Sequence, residues 1–136
     1  MEFIDIDTTE REQMVDVTRE VAGAVTASGI REGMAVVQTM HTTAGMTVNE
    51  NADPDVAADF ISGLRAIVPR AGAWRHAEGN SDAHLKATLV GPSITLGVSG
   101  GDLVLGTWQG VYFCEFDGPR SRRIGISVVG AKHTRS

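Results

Sequence analysis

Long hydrophobic runs, cysteine and aromatic residues are all scarce in this sequence of 136 residues. No stretch approaches the roughly 20 apolar residues that a membrane-spanning helix needs, so we expect no membrane partner. The one cysteine, Cys114, excludes a disulfide framework within the chain. The sequence begins without the basic and apolar regions of a signal peptide. Together these features lead us to expect a cytoplasmic protein.

A basic surplus is also missing, because the net charge is −5. Nucleic-acid-binding proteins usually carry such a surplus on one face, so we expect no nucleic acid partner. A local basic cluster of Arg120, Arg122 and Arg123 remains, either as a solvated strand end or as a phosphate contact. The length is close to the commonest domain size, so residues 1–136 are predicted to form a single domain.

Apolar spacing changes along the chain and indicates the fold class. A helical spacing follows Thr18, the candidate N-cap, and stops at Gly29. A second helix begins at Asp53-Pro54, with an apolar stripe from Ala57 to Val68. A short helix capped by Asn80 or Ser81 follows, and the sequence from Ser93 to Val129 indicates successive strands separated by turns. These patterns predict an α+β fold with a mixed, largely antiparallel, β-sandwich-like sheet and two to three helices.

Three polar segments contain the candidate functional residues, and the first covers residues 41–55. Hydroxyl groups beside a glycine can present donors to an oxyanion, and carboxylate and amide oxygens suit Mg²⁺ or Ca²⁺. Helix capping is the alternative for Asp53, which stands directly before Pro54. The candidates in this segment are His41, Thr42, Thr43, Asn49, Glu50, Asn51 and Asp53.

The second segment covers residues 76–86 and contains two of the four histidines. Imidazole is the commonest metal ligand and the usual proton shuttle near neutral pH. His76 and Glu78 share a face if extended, whereas Asn80 and His84 share a face of the following helix. The segment therefore predicts two nitrogens and a carboxylate near one point, with Lys86 available for an anion. A capped short helix with polar surface residues is the alternative.

The third segment, residues 105–120, places glycines on both sides of Trp108-Gln109. Such glycines permit a close backbone approach, so Trp108 is either the wall of an aromatic-ligand pocket or a core residue at a strand start. Arg120, at the end of the segment, is a candidate phosphate contact. Cys114 has no histidine nearby in sequence, and we interpret it as a small buried residue rather than as a nucleophile.

Taken together, the three segments resemble the YjbQ family, an uncharacterised-protein family also described as secondary thiamine-phosphate synthase. The matching stretches are HTTAGMTVNENADPDV (41–56), HAEGNSDAHLKATLVG (76–91) and LGTWQGVYFCEFDGPRSRR (105–123). The family pattern has an aromatic residue just before the second stretch, where this chain has Trp74-Arg75. The resemblance implies an α+β homotrimer with a polar pocket. Its candidate residues are His41, Asn49, Glu50, Asn51, Asp53, His76, Glu78, Asn80, His84, Trp108 and Gln109.

The resemblance also implies a weak ability to condense a pyrimidine diphosphate with a thiazole phosphate. In that reaction we expect catalytic roles for His41, Glu50, His76, Glu78 and His84. The three histidines would also bind a divalent metal, Mg²⁺ or Zn²⁺, which would hold the leaving diphosphate. Phosphate oxygens would contact Thr42, Thr43, Lys86 and Arg120, and Trp108 would face an aromatic ring.

Two other functions use the same residues. One is metal-dependent hydrolysis of a small phosphorylated metabolite, with a metal-bound water as nucleophile. The other is non-catalytic binding of a small anionic metabolite or a metal by a trimer. It is favoured by the lack of a recognisable nucleophile–base pair.

Overall fold

The computed structural model describes residues 1–132, so His133, in the basic tail, lies outside the described residues. Within this range the chain forms eight strands and three helices. The strands are β1 Glu2–Asp7, β2 Gln13–Asp16, β3 Gly33–Thr39, β4 Ala44–Glu50, β5 Ser93–Ser99, β6 Asp102–Leu103, β7 Gln109–Glu115 and β8 Ser121–Gly130. The helices are α1 Thr18–Ser28, α2 Pro54–Ile67 and α3 Ser81–Val90. The predicted α+β class is confirmed.

Two antiparallel sheets make up the body of the fold. One has the order β1-β8-β3-β5-β6 and the other the order β2-β7-β4. The core lies between them, where Val37 and Ile124 of the first sheet join Phe113 of the second and Val21 of α1. This arrangement matches the predicted β-sandwich-like sheet. None of the helices in the described part of the chain combines the length and apolar composition that a membrane span requires.

The helix boundaries follow local capping chemistry. Asp53 accepts a hydrogen bond from the backbone N–H of Asp55 at 2.9 Å, and Pro54 occupies the first turn of α2, as predicted. At α1 the cap differs from the prediction, because Thr18 is the first helical residue and Asp16 accepts from its N–H and hydroxyl groups. Gly29 ends α1 with φ of 71°, a left-handed conformation that glycine adopts without strain.

Helix α2 lies much nearer the surface than its apolar stripe indicates. None of its residues is buried, although Phe60 and Leu64 pack partly against the cluster around Phe116. Ile67, at its end, is 72% exposed. The spacing correctly predicts a helix with an apolar face, but it does not reveal how much of that face the same chain covers.

Candidate functional site

One polar cleft brings together residues from all three polar segments. It has a volume of about 350 Å³ and is here called the His41 cleft. Its lining consists of Met40, His41, Thr42, Thr43, Glu78, Asn80, His84, Asp117, Arg120 and Arg122. The loop after β3, the N-terminal end of α3 and the turn between β7 and β8 therefore meet here.

A second, less polar cavity of about 550 Å³ shares Met40, His41, Thr42 and His84 with this cleft. Its other lining residues are Thr39, Ala44, Ala87, Thr88 and Pro92. The two histidines thus stand between a polar cleft and a cavity with a larger apolar share.

His41 is fixed by the end of a strand pairing. Strands β3 and β8 pair up to Thr39 and Ile124, and His41 Nε2 then accepts the backbone N–H of Arg123 at 2.9 Å. The imidazole therefore takes the place of a backbone carbonyl as the acceptor for the next N–H group of β8. Burial lowers the pKa of His41, the Arg122 guanidinium lowers it further, and Glu115 partly opposes both effects.

A buried ion pair supports this side of the cleft. Arg122 donates from Nε to Glu115 Oε1 at 2.8 Å, and its terminal nitrogen donates to Glu115 Oε2 and, at 2.8 Å, to the Thr43 hydroxyl. Thr8 also donates to Glu115 at 2.7 Å. Burial opposes ionisation of Glu115, but the hydrogen bonds from Arg122 and Thr8 outweigh it and lower the pKa. Glu115 is not among the predicted site residues, because strand alternation does not mark it as charged and buried.

Asp117 holds the other side of the cleft together. Its carboxylate accepts from Asn80 Nδ2 at 2.9 Å and from Arg120 at 3.0 Å, and its carbonyl oxygen accepts from Arg120 Nε at 2.7 Å. Arg120 remains about half exposed, with its other N–H groups unused by the described residues. Asn80 Oδ1 is buried and has no hydrogen-bond partner there. Asn80 and Arg120 are predicted site residues, whereas Asp117, which joins them, is not.

His76, Glu78 and His84 lie near one another, as the second segment predicts. The His76 and His84 rings are 5.3 Å apart and nearly perpendicular, and His76 Nε2 lies 3.6 Å from Glu78 Oε2. His84 and Glu78 line the His41 cleft, whereas His76 does not.

The three histidines proposed as metal ligands do not form a single donor set. Within residues 1–132, no group of three or more His, Cys, Asp or Glu side chains is placed to hold a metal ion. A catalytic zinc site needs three protein ligands, and His41 Nε2 already accepts a backbone N–H group. The described residues of a single chain therefore do not complete such a site.

Lys86 occupies a different place from the predicted anion contact. It is fully buried and does not line the cleft. Its ammonium group donates to Asp82 at 2.8 Å and to Glu12 at 3.0 Å, while Arg11 and Arg65 bind the same two carboxylates from the outside. Lys86 therefore joins α3 to the segment before β2 and has a structural role.

The remaining predicted residues lie at the opposite end of β4. In the β4–β7 register, Asn49 faces Gly110 and Glu50 faces Gln109. A seven-residue strand spans about 20 Å at roughly 3.3 Å per residue, so this end is remote from His41. Asn51 donates to Asp16 at 3.0 Å. All three polar segments therefore contribute to the His41 cleft, but the Asn49–Asn51 part of the first segment and Trp108-Gln109 of the third do not line it.

Two other predicted residues have clear local environments at that end. Trp108 is 62% exposed, so it is not a core residue. Gln109 accepts the backbone N–H of Gly106 at 2.8 Å, which closes the turn around Trp108. Asp53 caps α2, as described above.

Comparison with known proteins agrees with this architecture. The model of the family described as UPF0047 protein YjbQ-like matches residues 2–131. A UPF0047 protein of Methanocaldococcus jannaschii is 47% identical over 93% of this chain and 92% of its own, and UPF0047 protein YugU of Bacillus subtilis is 47% identical over 96% and 99%.

Solved structures show the same fold. An uncharacterised conserved protein of the YjbQ/UPF0047 family from Clostridium acetobutylicum superposes with a TM-score of 0.94 at 47% identity, over 95% of this chain and 100% of that one. A YbjQ-like protein of unknown function from Sulfolobus solfataricus gives 0.92 at 32% identity, over 96% of each chain. The chain therefore belongs to the YjbQ/UPF0047 family.

Proposed function

We propose that the His41 cleft binds the phosphate group of a small phosphorylated metabolite. The observation that carries this proposal is the position of Arg120, whose half-exposed guanidinium lines the cleft and is oriented by Asp117. Arginine has five N–H donors in a fixed fork, and those that Asp117 does not use suit phosphate oxygens. The exposed Thr42 is a second donor at the cleft.

The neighbouring cavity supports a ligand with a less polar part. It begins at the same histidines and continues past Ala44, Ala87 and Pro92. Binding sites commonly combine an apolar wall with a few polar groups that fix orientation. A metabolite with a phosphate group on a ring system would place the phosphate in the His41 cleft and the ring in this cavity.

For the reaction, we propose the condensation that the family resemblance implies. The thiazole nitrogen forms a C–N bond with the pyrimidine's methylene carbon as the C–O bond to the diphosphate breaks. Arg120 would stabilise the negative charge that develops on the leaving diphosphate. The Asn49–Asn51 segment, Trp108 and Gln109 can take part only if a second subunit brings that end of β4 to the cleft.

The test combines binding and turnover in the purified protein. The Arg120→Gln variant should bind inorganic pyrophosphate at least about tenfold more weakly by calorimetry, because a hydrogen bond to a charged group is lost. Arg70→Gln changes another exposed arginine, outside the cleft, and is the matched control. Formation of thiamine phosphate from the two precursors would support the condensation. Equal binding by both variants would contradict the proposal.

Hydrolysis of a phosphate ester is the second candidate, and the proximity of His76, Glu78 and His84 favours it. These side chains offer the start of a metal site, which a further ligand from another subunit would complete. Turnover of single phosphate esters, abolished by a chelator and restored by Zn²⁺ or Mg²⁺, would support this function. Turnover that needs two substrates would favour the condensation.

Binding of an anionic metabolite by a non-catalytic trimer is the third candidate. A homotrimer is supported by the uncovered helix α2 and by exposed apolar residues on the first sheet, such as Phe3, Met34 and Val129. Light scattering should give about three times the 14.4 kDa chain mass. A stable monomer would contradict both the trimer and a site shared between subunits. A cytoplasmic location, which suits the reduced Cys114, is part of the same proposal.

A further inference from the structure

The two ring nitrogens of His41 have different surroundings. Nε2 accepts the backbone N–H of Arg123 at 2.9 Å, whereas Nδ1 has no hydrogen-bond partner among residues 1–132. The ring is half-buried and lines the cleft, and Nδ1 is not among the buried unpaired atoms. Nδ1 is therefore an accessible atom of a residue that lines the cleft.

The Arg123 amide fixes the proton of the imidazole. A neutral histidine has one N–H donor and one acceptor nitrogen, so acceptance at Nε2 places the proton on Nδ1. Turning the ring over would set a carbon against the amide and leave the N–H of Arg123 without an acceptor. Protonation of Nε2 would bring its N–H group into contact with the N–H group of Arg123, so that two donors would point at each other. His41 is therefore a neutral Nδ1–H tautomer.

We propose that His41 contacts an anionic oxygen of the ligand as a neutral Nδ1–H donor, and that it is neither a metal ligand nor a general base. This inference rests on the proposed binding of a phosphorylated metabolite in the cleft. Metal binding or proton abstraction needs a free nitrogen lone pair. Nε2 uses its lone pair for Arg123, and Nδ1 carries the proton. Only donation from Nδ1 is left, next to Arg120 and Thr42 in the same cleft.

Two substitutions separate the roles of the two nitrogens. In His41→Asn the amide nitrogen can take the place of Nδ1, so a donor to the cleft is kept and the acceptor for Arg123 is lost. In His41→Gln the longer side chain can present its oxygen at the place of Nε2, so the acceptor is kept while the donor at the place of Nδ1 is lost. The probe is inorganic pyrophosphate, titrated by calorimetry into each folded protein.

The two variants should differ in a defined order. We expect His41→Gln to bind pyrophosphate about tenfold or more less tightly than His41→Asn, because it loses the hydrogen bond to the charged ligand. Equal losses in both variants, or tighter binding by His41→Gln, would overturn the inference. A wild-type protein that binds no pyrophosphate would instead contradict the proposed function, together with the ligand contact of His41.

Nitrogen NMR of the wild-type protein gives a readout that requires no variant. The Nδ1 resonance of His41 should fall in the protonated range and the Nε2 resonance in the unprotonated range at pH 7, with and without pyrophosphate. Zn²⁺ should leave both resonances unchanged. A proton on Nε2, or a Zn²⁺-induced shift of the Nδ1 resonance, would overturn the inference.

Discussion

Lys86 and Asp82 lie one helical turn apart on α3, with the lysine ammonium 2.8 Å from the carboxylate and both side chains almost completely buried. Glu12 completes the arrangement from outside the helix, at 3.0 Å from the same ammonium group. Replacing Lys86 by methionine should destabilise the protein by about 3 kcal/mol, because it leaves two buried carboxylates without their shared cation. Urea denaturation would measure the change.

An exposed ion pair provides the control for this prediction. Asp5 and Arg123 are 2.9 Å apart, a distance similar to those of the buried pairs, but both side chains are more than half exposed. Asp5→Asn should change stability by less than about 1 kcal/mol, as is usual for solvent-exposed pairs. Similar losses in Lys86→Met and Asp5→Asn would mean that the buried cluster has no special importance.

Stability should also decrease in acid because of these carboxylates. Burial opposes ionisation of Glu12 and Asp82, but hydrogen bonds from arginine and Lys86 outweigh it and lower the pKa of both below their ordinary values of 4.5 and 3.8. The unfolded chain therefore binds protons at a higher pH than the folded protein does. The free energy of unfolding should fall as the pH decreases below about 4.5. Denaturation curves from pH 7 to pH 3 would show this, and Glu12→Gln should flatten the dependence.

Gly110 lies so close to the Asn51 side chain that a side chain cannot be added at position 110 unless Asn51 or the backbone moves. A Cβ at this position would lie 2.3 Å from Asn51 Nδ2, the atom that donates to Asp16. Gly110→Ala should cost about 1–3 kcal/mol through overpacking. Gly63→Ala is the matched control, because Gly63 lies within α2 with nothing within 4 Å of the added carbon. That change should stabilise the protein by about 0.5–1 kcal/mol. A stabilising Gly110→Ala would contradict the close packing.

Cys114 should be inert in the folded protein. It is fully buried, and burial raises the pKa of its thiol to about 12, so almost no thiolate is present at pH 8. A colorimetric disulfide reagent should react with it only after guanidinium unfolds the chain. Rapid stoichiometric reaction of the native protein would show that the thiol is accessible, and would contradict its interpretation as a core residue.

The sequence predicts the local structure well where capping and spacing decide it. Asp53-Pro54 marks the start of α2, Asn80 precedes α3 and Gly29 ends α1, because each of these signals acts within a few residues. The short strand β2 escaped detection, since its four residues form no distinct alternation and it exists through pairing with β7.

The candidate site was harder to predict, because it depends on which strand ends meet. Asn49–Asn51 lies in the same segment as His41, yet the intervening strand separates them, while pairing brings Glu50 opposite Gln109. Lys86 follows Asp82 by four residues, which is visible in the sequence. The burial of Lys86 is not visible in the sequence, because Glu12 and Arg11, which complete its cluster, lie far from it along the chain. The Glu115–Arg122 pair likewise forms across the turn between β7 and β8.

Helix α2 contributes no buried residue, and this affects which parts of the molecule open first. In an isolated chain, unfolding this helix would expose little additional apolar surface, so its amides should exchange with solvent through a local opening well below the global free energy of unfolding. The amides of β7 and β8, which each lie between two partner strands, should exchange only on global unfolding. Strong protection of α2 in solution would mean that another subunit covers it. Hydrogen exchange can therefore locate a subunit contact without any knowledge of the ligand.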